Sequence, residues 1–455
     1  MPLSNQPAAE PAPARSSAYA IYILVLMLLI NTISYADRHL FSILIPAIKQ
    51  EFGSSDSVMG LIGGPGFMIS YVLFTIPLAR LADRWSRRKV LALSAAFWSA
   101  ATALCGMAVN VGQMAAARVA VGIGEAGGFP PSQSIVSSLF DGKRRATALG
   151  ILSASTSLGI VLGLTGGGML AASFGWREAF LILAAPGLPL AVLVWLTAPK
   201  RSKAPASAAA AAPTGSALST MRNLWSIVSL RQLAIAMGVF NIFGYAGAIW
   251  LPTYFMRSHG MTAMEAGVWL GLGAALGGVG GAMSSGFIVD IMNRRNISWQ
   301  LRVPAAGFFL ATPLMAIMLL IPNGASFNIA GTAIPAVALL SIATSFLTAL
   351  WAGPSYAAAA NLVQPDQRAQ ATAMLVVSIN VLGSTVGPLL AGIVSDILTP
   401  RYGLEGLRYS LFVMGILIPV GGIMFWRAGA RYAADMARVS SEKGSSNLES
   451  AGQPA

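Results

Sequence analysis

The stretch NTISYADRHLFSILIP (residues 31–46) sets three ionisable residues, Asp37, Arg38 and His39, side by side. It directly continues an apolar run, AYAIYILVLMLLI (residues 18–30). An ionised side chain at the centre of a bilayer costs at least about 2.5–3.5 kcal/mol. These groups must therefore face one another, a partner on another helix, or water. A further acid, Glu125, lies in the apolar stretch RVAVGIGEAG (residues 118–127), with Arg118 seven residues before it on the same helix face. A carboxyl beside a guanidinium in a half-wet cavity can move a proton; the alternative is a clasp that only holds the first helix to the fourth. Desolvation favours the protonated acid and the arginine favours the carboxylate. The other fourteen of the 16 acids fall in tails, loops or helix ends, so Asp37 and Glu125 are the expected proton carriers. Arg38 can pair with a carboxylate, or release it and hold an anionic substrate in its planar fork. Asn31 and Tyr35 of the same stretch are counted with the substrate contacts. Arg118 either tunes Glu125 and contacts substrate, or snorkels to the membrane interface. His39 titrates near neutral pH, but it points about 100° away from Arg38 around the helix. The alternative for His39 is a helix-end group facing water.

The elements that must hold these residues are long and apolar. The 455-residue chain is 55% hydrophobic and 10% charged, against about 25% charged for a soluble domain, and its mean hydropathy is +0.68. Twelve apolar stretches can each cross about 30 Å of hydrocarbon. They lie near residues 18–46, 57–79, 90–109, 114–138, 146–173, 179–198, 232–256, 264–289, 303–321, 333–361, 371–395 and 407–426. The fold class expected is all-α integral membrane. Twenty-two of the 29 Lys and Arg fall on one side of the membrane, which puts both termini in the cytoplasm and the chain in the cytoplasmic (inner) membrane. That asymmetry accounts for the net charge of +13 and removes the case for nucleic-acid binding. The lone Cys105 allows no internal disulfide, and with two histidines, His39 and His259, neither metal nor cofactor is expected.

The chain divides at an Ala/Pro/Ser-rich basic segment. The expected units are a tail at 1–17, a six-helix bundle at 18–198, a cytoplasmic linker at 199–230, a second bundle at 231–430 and a tail at 431–455, unstructured from about 433. ARLADRWSRRK (residues 79–89) in the first half aligns with GFIVDIMNRRN (residues 286–296) in the second, matching Asp83 to Asp290 and Arg87 to Arg294. DGKRRATA from Asp141 likewise matches DQRAQATA from Asp366. Parallel six-helix repeats are a transporter architecture with a midplane site. Asp83, Arg84, Arg87 and Arg88, with Asp290 and Arg294 as a weaker copy, are expected to latch the cytoplasmic side. Gly-rich runs at 159–168 and 383–392 give small residues at i, i+4 spacing for close helix packing. In the second half the candidates for substrate contact are uncharged: Asn241, Tyr245, Trp250, Trp351, Tyr356 and Asn380. A cavity charged on one wall and aromatic on the other suits an amphipathic or aromatic anion.

ARLADRWSRRK resembles the loop signature of the major facilitator superfamily, GxLaDrxGrkxx, departing from its glycines at Ala79 and Ser86. RVAVGIGEAG resembles its fourth-helix signature, RxxxGxxxA. The likeness covers about residues 18–430. YADR, FWSAATALCG, GIGEAGGFPPSQS and FGWREAF resemble the Spinster branch, and next to it the organic-anion branch of sugar-acid and aromatic-acid symporters. The resemblance implies the major facilitator fold of twelve helices. It also implies roles in protonation and anion contact for Asp37, Arg38 and Glu125. The expected function is proton-coupled transport of an organic anion. The alternatives are symport of a small carboxylate, or sodium coupling through Asp37. The expected partners are a small-molecule or lysolipid-like substrate, protons and the lipid bilayer, with the chain acting as a monomer. An enzyme would need a nucleophile–base pair that the two distant histidines do not supply, and a receptor would need a soluble signalling domain.

Overall fold

The structure, a computed structural model, describes residues 17–200, 217–329, 331–364 and 367–451. The first half comprises α1 (Ser17–Phe52), α2 (Asp56–Arg84), α3 (Arg87–Gly106), α4 (Val111–Glu125), α5 (Phe129–Leu139), α6 (Arg144–Phe174) and α7 (Trp176–Thr197). A short helix, α8 (Ala217–Ser226), leads into the second half. There follow α9 (Val228–His259), α10 (Ala263–Asn293), α11 (Trp299–Leu320), α12 (Ala336–Asn361), α13 (368–402), α14 (Gly406–Met414) and α15 (Leu417–Ala451). An antiparallel hairpin, β1 (Ser326–Ile329) with β2 (Thr332–Pro335), joins α11 to α12.

Polar residues place the helix ends. Ser55, Ser86 and Asn110 accept from the backbone NH three residues on and start α2, α3 and α4. Thr262 and Glu265 form a capping box at α10. Gly260, at φ 65°, ends α9 in the left-handed region. Ser86, which departs from the loop signature, is thus the N-cap of α3.

Ten stretches among the described residues are long and apolar enough to cross a membrane. One of them, Arg368–Val439, has 72 residues. At about 1.5 Å per residue it would exceed the hydrocarbon thickness threefold, and the chain breaks within it at Gly403. The fourth apolar stretch of the sequence is divided as α4 and α5. Residues 433–451, expected to be unstructured, continue α15. Residues 201–216 of the linker and Asp366 of the second repeat lie outside the described residues.

The two halves pack by the same rule. In the first, Gly163 of α6 sits so close to α1 that an added Cβ would lie 2.4 Å from the Ala36 carbonyl oxygen. In the second, Gly387 of α13 meets α9 in the same way, 2.2 Å from the Ile242 carbonyl oxygen. The halves join where α2 meets α13 and α6 meets α10. Each of these four helices carries a π-helical segment: Ile62–Gly66, Leu162–Gly166, Gly273–Val279 and Ile379–Ser384.

Candidate functional site

Two ion pairs cross from α1 to α4 in opposite senses. Arg38 of α1 donates through Nε to Glu125 Oε2 of α4 at 2.6 Å. Arg118 of α4 donates through Nη1 to Asp37 Oδ2 of α1 at 2.7 Å. The second pair is fully enclosed, while the Arg38 side chain keeps 22% of its surface exposed. Glu125 is the last residue of α4, and the chain turns through Ala126–Gly128 before α5 starts with two prolines, Pro130 and Pro131. That break is written in the sequence, since adjacent glycines and prolines both interrupt a helix. Aromatic rings cover the guanidinium groups. Arg38 lies 4.8 Å from the Tyr35 ring, 5.0 Å from Phe67 and 4.7 Å from Tyr71. Arg118 lies 5.0 Å from Phe41 and 5.2 Å from Phe67. Each carboxylate uses one oxygen on its arginine. Asp37 Oδ1 and Glu125 Oε1 are buried with no hydrogen-bond partner among the described residues. A buried anionic oxygen without a donor is unfavourable.

The other substrate candidates separate into two groups. Tyr35, Tyr245, Trp351 and Tyr356 are half-buried. Tyr245 of α9 stands within electrostatic reach of Arg38, Tyr35, Tyr71 and Tyr356, so the aromatic set links the halves at the charged wall. Trp351 packs edge-on against Phe240 at 6.2 Å and beside Tyr356 at 6.4 Å. The remaining candidates are engaged in holding the fold. Trp250 is fully buried and its indole NH donates to the Pro388 carbonyl at 2.9 Å, pinning α9 to α13. Asn31 donates to the Met27 carbonyl at 2.7 Å and to Ser132 Oγ at 3.0 Å. Asn241 and Asn380 donate back to Met237 and Val376 of their own helices. Tyr71 is not among the sequence candidates, because one half-buried tyrosine carries no spacing signal. His39 faces a cavity of about 240 Å³ between the halves.

The Asp83 loop is tied from the end of α2 to the start of α3. Asp83, 65% exposed, accepts from Arg87, at 2.8 Å from Nη2 and 3.1 Å from Nε, one turn along its own chain. Arg84, Asp290 and Arg294 are exposed, and Arg88 is half-buried. The opposite end of the molecule is locked. Asp56, read from the sequence as an ordinary helix-end charge, is fully buried. It accepts from Lys49 at 2.6 Å, from Arg257 of the second half at 2.7 and 2.8 Å, and from Ser395 at 2.7 Å. Asp396 of α13 in turn caps α2, accepting from the NH groups of Asp56 at 2.9 Å and Ser57 at 2.8 Å, and from the Ser57 hydroxyl. This lock joins residues more than 200 positions apart, and neither repeat contains its pattern.

Residues 27–338 match the family model described as Major Facilitator Superfamily. The chain is similar to an MFS-type efflux pump of Mycolicibacterium smegmatis, 34% identical over 413 residues, covering 90% of this chain and 92% of that one. It is also similar to protein spinster homolog 1 of Xenopus laevis, 25% identical over 435 residues, covering 89% and 80%. Among solved structures it resembles a bacterial homologue of the human lysosomal transporter Spinster in an inward-facing, unoccupied conformation. The TM-score is 0.80 at 24% identity, over 92% of this chain and 99% of that one. With the family model matching residues 27–338 and a relative 34% identical over 90% of the chain, the chain belongs to the major facilitator superfamily of membrane transporters.

Proposed function

We propose that the protein moves an organic anion with an apolar body across the cytoplasmic membrane by alternating access, coupled to protons. In this reading the 72-residue stretch makes two crossings and α4 with α5 makes one. That gives twelve crossings with both termini in the cytoplasm. The Asp83 loop then faces the cytoplasm and the Asp56 lock closes the outer side, so the state described is open inward.

The observation that carries this reading is the contrast between the two ion pairs. The Arg38 side chain keeps 22% of its surface exposed beside Glu125, so this pair can exchange, whereas Asp37–Arg118 is enclosed. Protonation of Glu125 would release Arg38 to a substrate carboxylate. Return of the proton to water would restore the pair and expel the substrate. A proton moving down 100 mV releases about 2.3 kcal/mol, roughly a fifty-fold bias on the conformational equilibrium. The apolar and aromatic second wall favours an amphipathic anion over a sugar acid, which needs more hydrogen-bonding groups.

The test is solute movement in reconstituted vesicles under an imposed pH gradient, and separately under a sodium gradient. Accumulation driven by pH alone supports the reading. Accumulation that follows sodium and ignores pH overturns it.

A further inference from the structure

A cavity of about 240 Å³ lies between the halves. His39 follows Arg38 on α1, Gly244 precedes Tyr245 on α9, and both His39 and Gly244 line it. Its walls are mostly apolar, with Leu251, Leu270, Met315 and Met318 among them. One stripe is polar. Ser341, Thr344, Ser345 and Thr348 all line the cavity at i, i+3, i+4 and i+7 spacing, one face of α12.

Three of these hydroxyls use their proton inside the helix. Ser341 donates to the Ala338 carbonyl at 2.8 Å, Thr344 to Leu340 at 2.7 Å and Thr348 to Thr344 at 2.8 Å. What remains toward the cavity is lone pairs, so the stripe accepts hydrogen bonds. Size adds a second constraint. An apolar protein cavity of roughly 150 Å³ accommodates benzene. The present one, at about 240 Å³, accommodates a ring and a short chain.

We propose that this cavity is the subsite for the far end of the solute. It selects a ring-sized apolar body that carries a hydrogen-bond donor, such as a phenolic hydroxyl. The solute class is therefore a hydroxyaryl alkanoate. The α12 hydroxyl stripe determines its specificity and Arg38 holds its carboxylate. This rests on the reading that Arg38 receives the substrate anion.

The test is calorimetric binding to the purified full-length protein. The probes are 3-(4-hydroxyphenyl)propanoate, 3-phenylpropanoate, D-glucarate and 1-palmitoyl lysophosphatidate. The hydroxylated acid is expected to bind about three- to tenfold more tightly than 3-phenylpropanoate, the net effect of one hydrogen bond. The other two probes are expected to bind more weakly than either. A Thr344→Val, Ser345→Ala double variant should erase the hydroxyl preference and leave 3-phenylpropanoate unchanged. Ala248→Leu, which fills the cavity, should weaken both aryl acids about tenfold.

Equal or tighter binding of lysophosphatidate or glucarate overturns the proposal. So does a hydroxyl preference that survives in the double variant, or no binding of the aryl acids at all. Arg38→Gln separates the two readings. If it leaves 3-phenylpropanoate binding intact, the anion reading fails. If it abolishes binding while the hydroxyl variants change nothing, the cavity assignment alone fails.

Discussion

Asp37 and Glu125 are acids of different kinds, although each is paired with an arginine. Removing the charge of Asp37 leaves Arg118, with 2% of its side chain exposed, as an uncompensated buried cation. Breaking a buried pair in this way costs about 3–5 kcal/mol. Asp37→Asn should therefore lower the thermal unfolding midpoint of the purified protein markedly, while Glu125→Gln should shift it little because Arg38 keeps 22% of its side chain exposed. Equal midpoints for the two variants would contradict this division. Arg38→Lys keeps the charge and loses the planar fork. It should weaken apparent affinity for a carboxylate solute about tenfold with the fold intact, and unchanged affinity would place the anion elsewhere. The sequence made the acids visible, because charges in an apolar run are conspicuous. It did not show which arginine meets which acid. Sequence spacing pairs Arg118 with Glu125, two turns away on its own helix, yet across the helix interface it reaches Asp37. Partner choice depends on how α1 and α4 face each other, and no pattern within either segment records that.

At the scale of elements, two devices hold the helices together. The Asp56 lock binds the first half to α9 and α13. Asp56→Asn should loosen that end and raise the population open on its side. A cysteine introduced near Ser395 would report this as faster labelling by a membrane-impermeant thiol reagent, because the native Cys105 is fully buried. Unchanged labelling would remove the lock from the cycle. On the proposed cytoplasmic latch, Asp83→Asn should act in the opposite sense and slow that labelling. The second device is backbone contact through glycine. A Cβ at position 387 meets the Ile242 carbonyl at 2.2 Å, and backbone yields poorly. Gly387→Ala should destabilise by about 1–3 kcal/mol, read as a lowered unfolding midpoint, and a neutral effect would mean α13 can shift. The small-residue stripes were legible because their period matches a helix. Their partners are α1 and α9, which the stripes alone did not name. The lock was illegible because Lys49, Asp56, Arg257 and Ser395 share no local motif and are joined only by the tertiary fold. The break at Glu125 was legible in GGFPP and still read as one continuous helix, since length and apolar content outweighed the turn residues.

For the whole molecule, the duplicated halves, the charge asymmetry and the central charged wall form one mechanism. Among the described residues no acid of the second half forms an ion pair with Arg38 or Arg118, so the proposed coupling rests on the first half. The basic excess on one side fixes orientation, and a tag at either terminus should be reached by protease only from the cytoplasmic side of inverted vesicles. Protection there, or access to the two tags from opposite sides, would require a different topology. The central claim is that Glu125 alternates between a protonated form and an Arg38-paired form. The direct measurement uses vesicles containing wild-type or Glu125→Gln protein and the aryl acid that binds best. The glutamine side chain imitates the protonated acid permanently. The variant should still exchange labelled for unlabelled solute across the membrane, and should fail to accumulate it when a pH gradient is imposed. Accumulation by the variant at the wild-type level would contradict the mechanism.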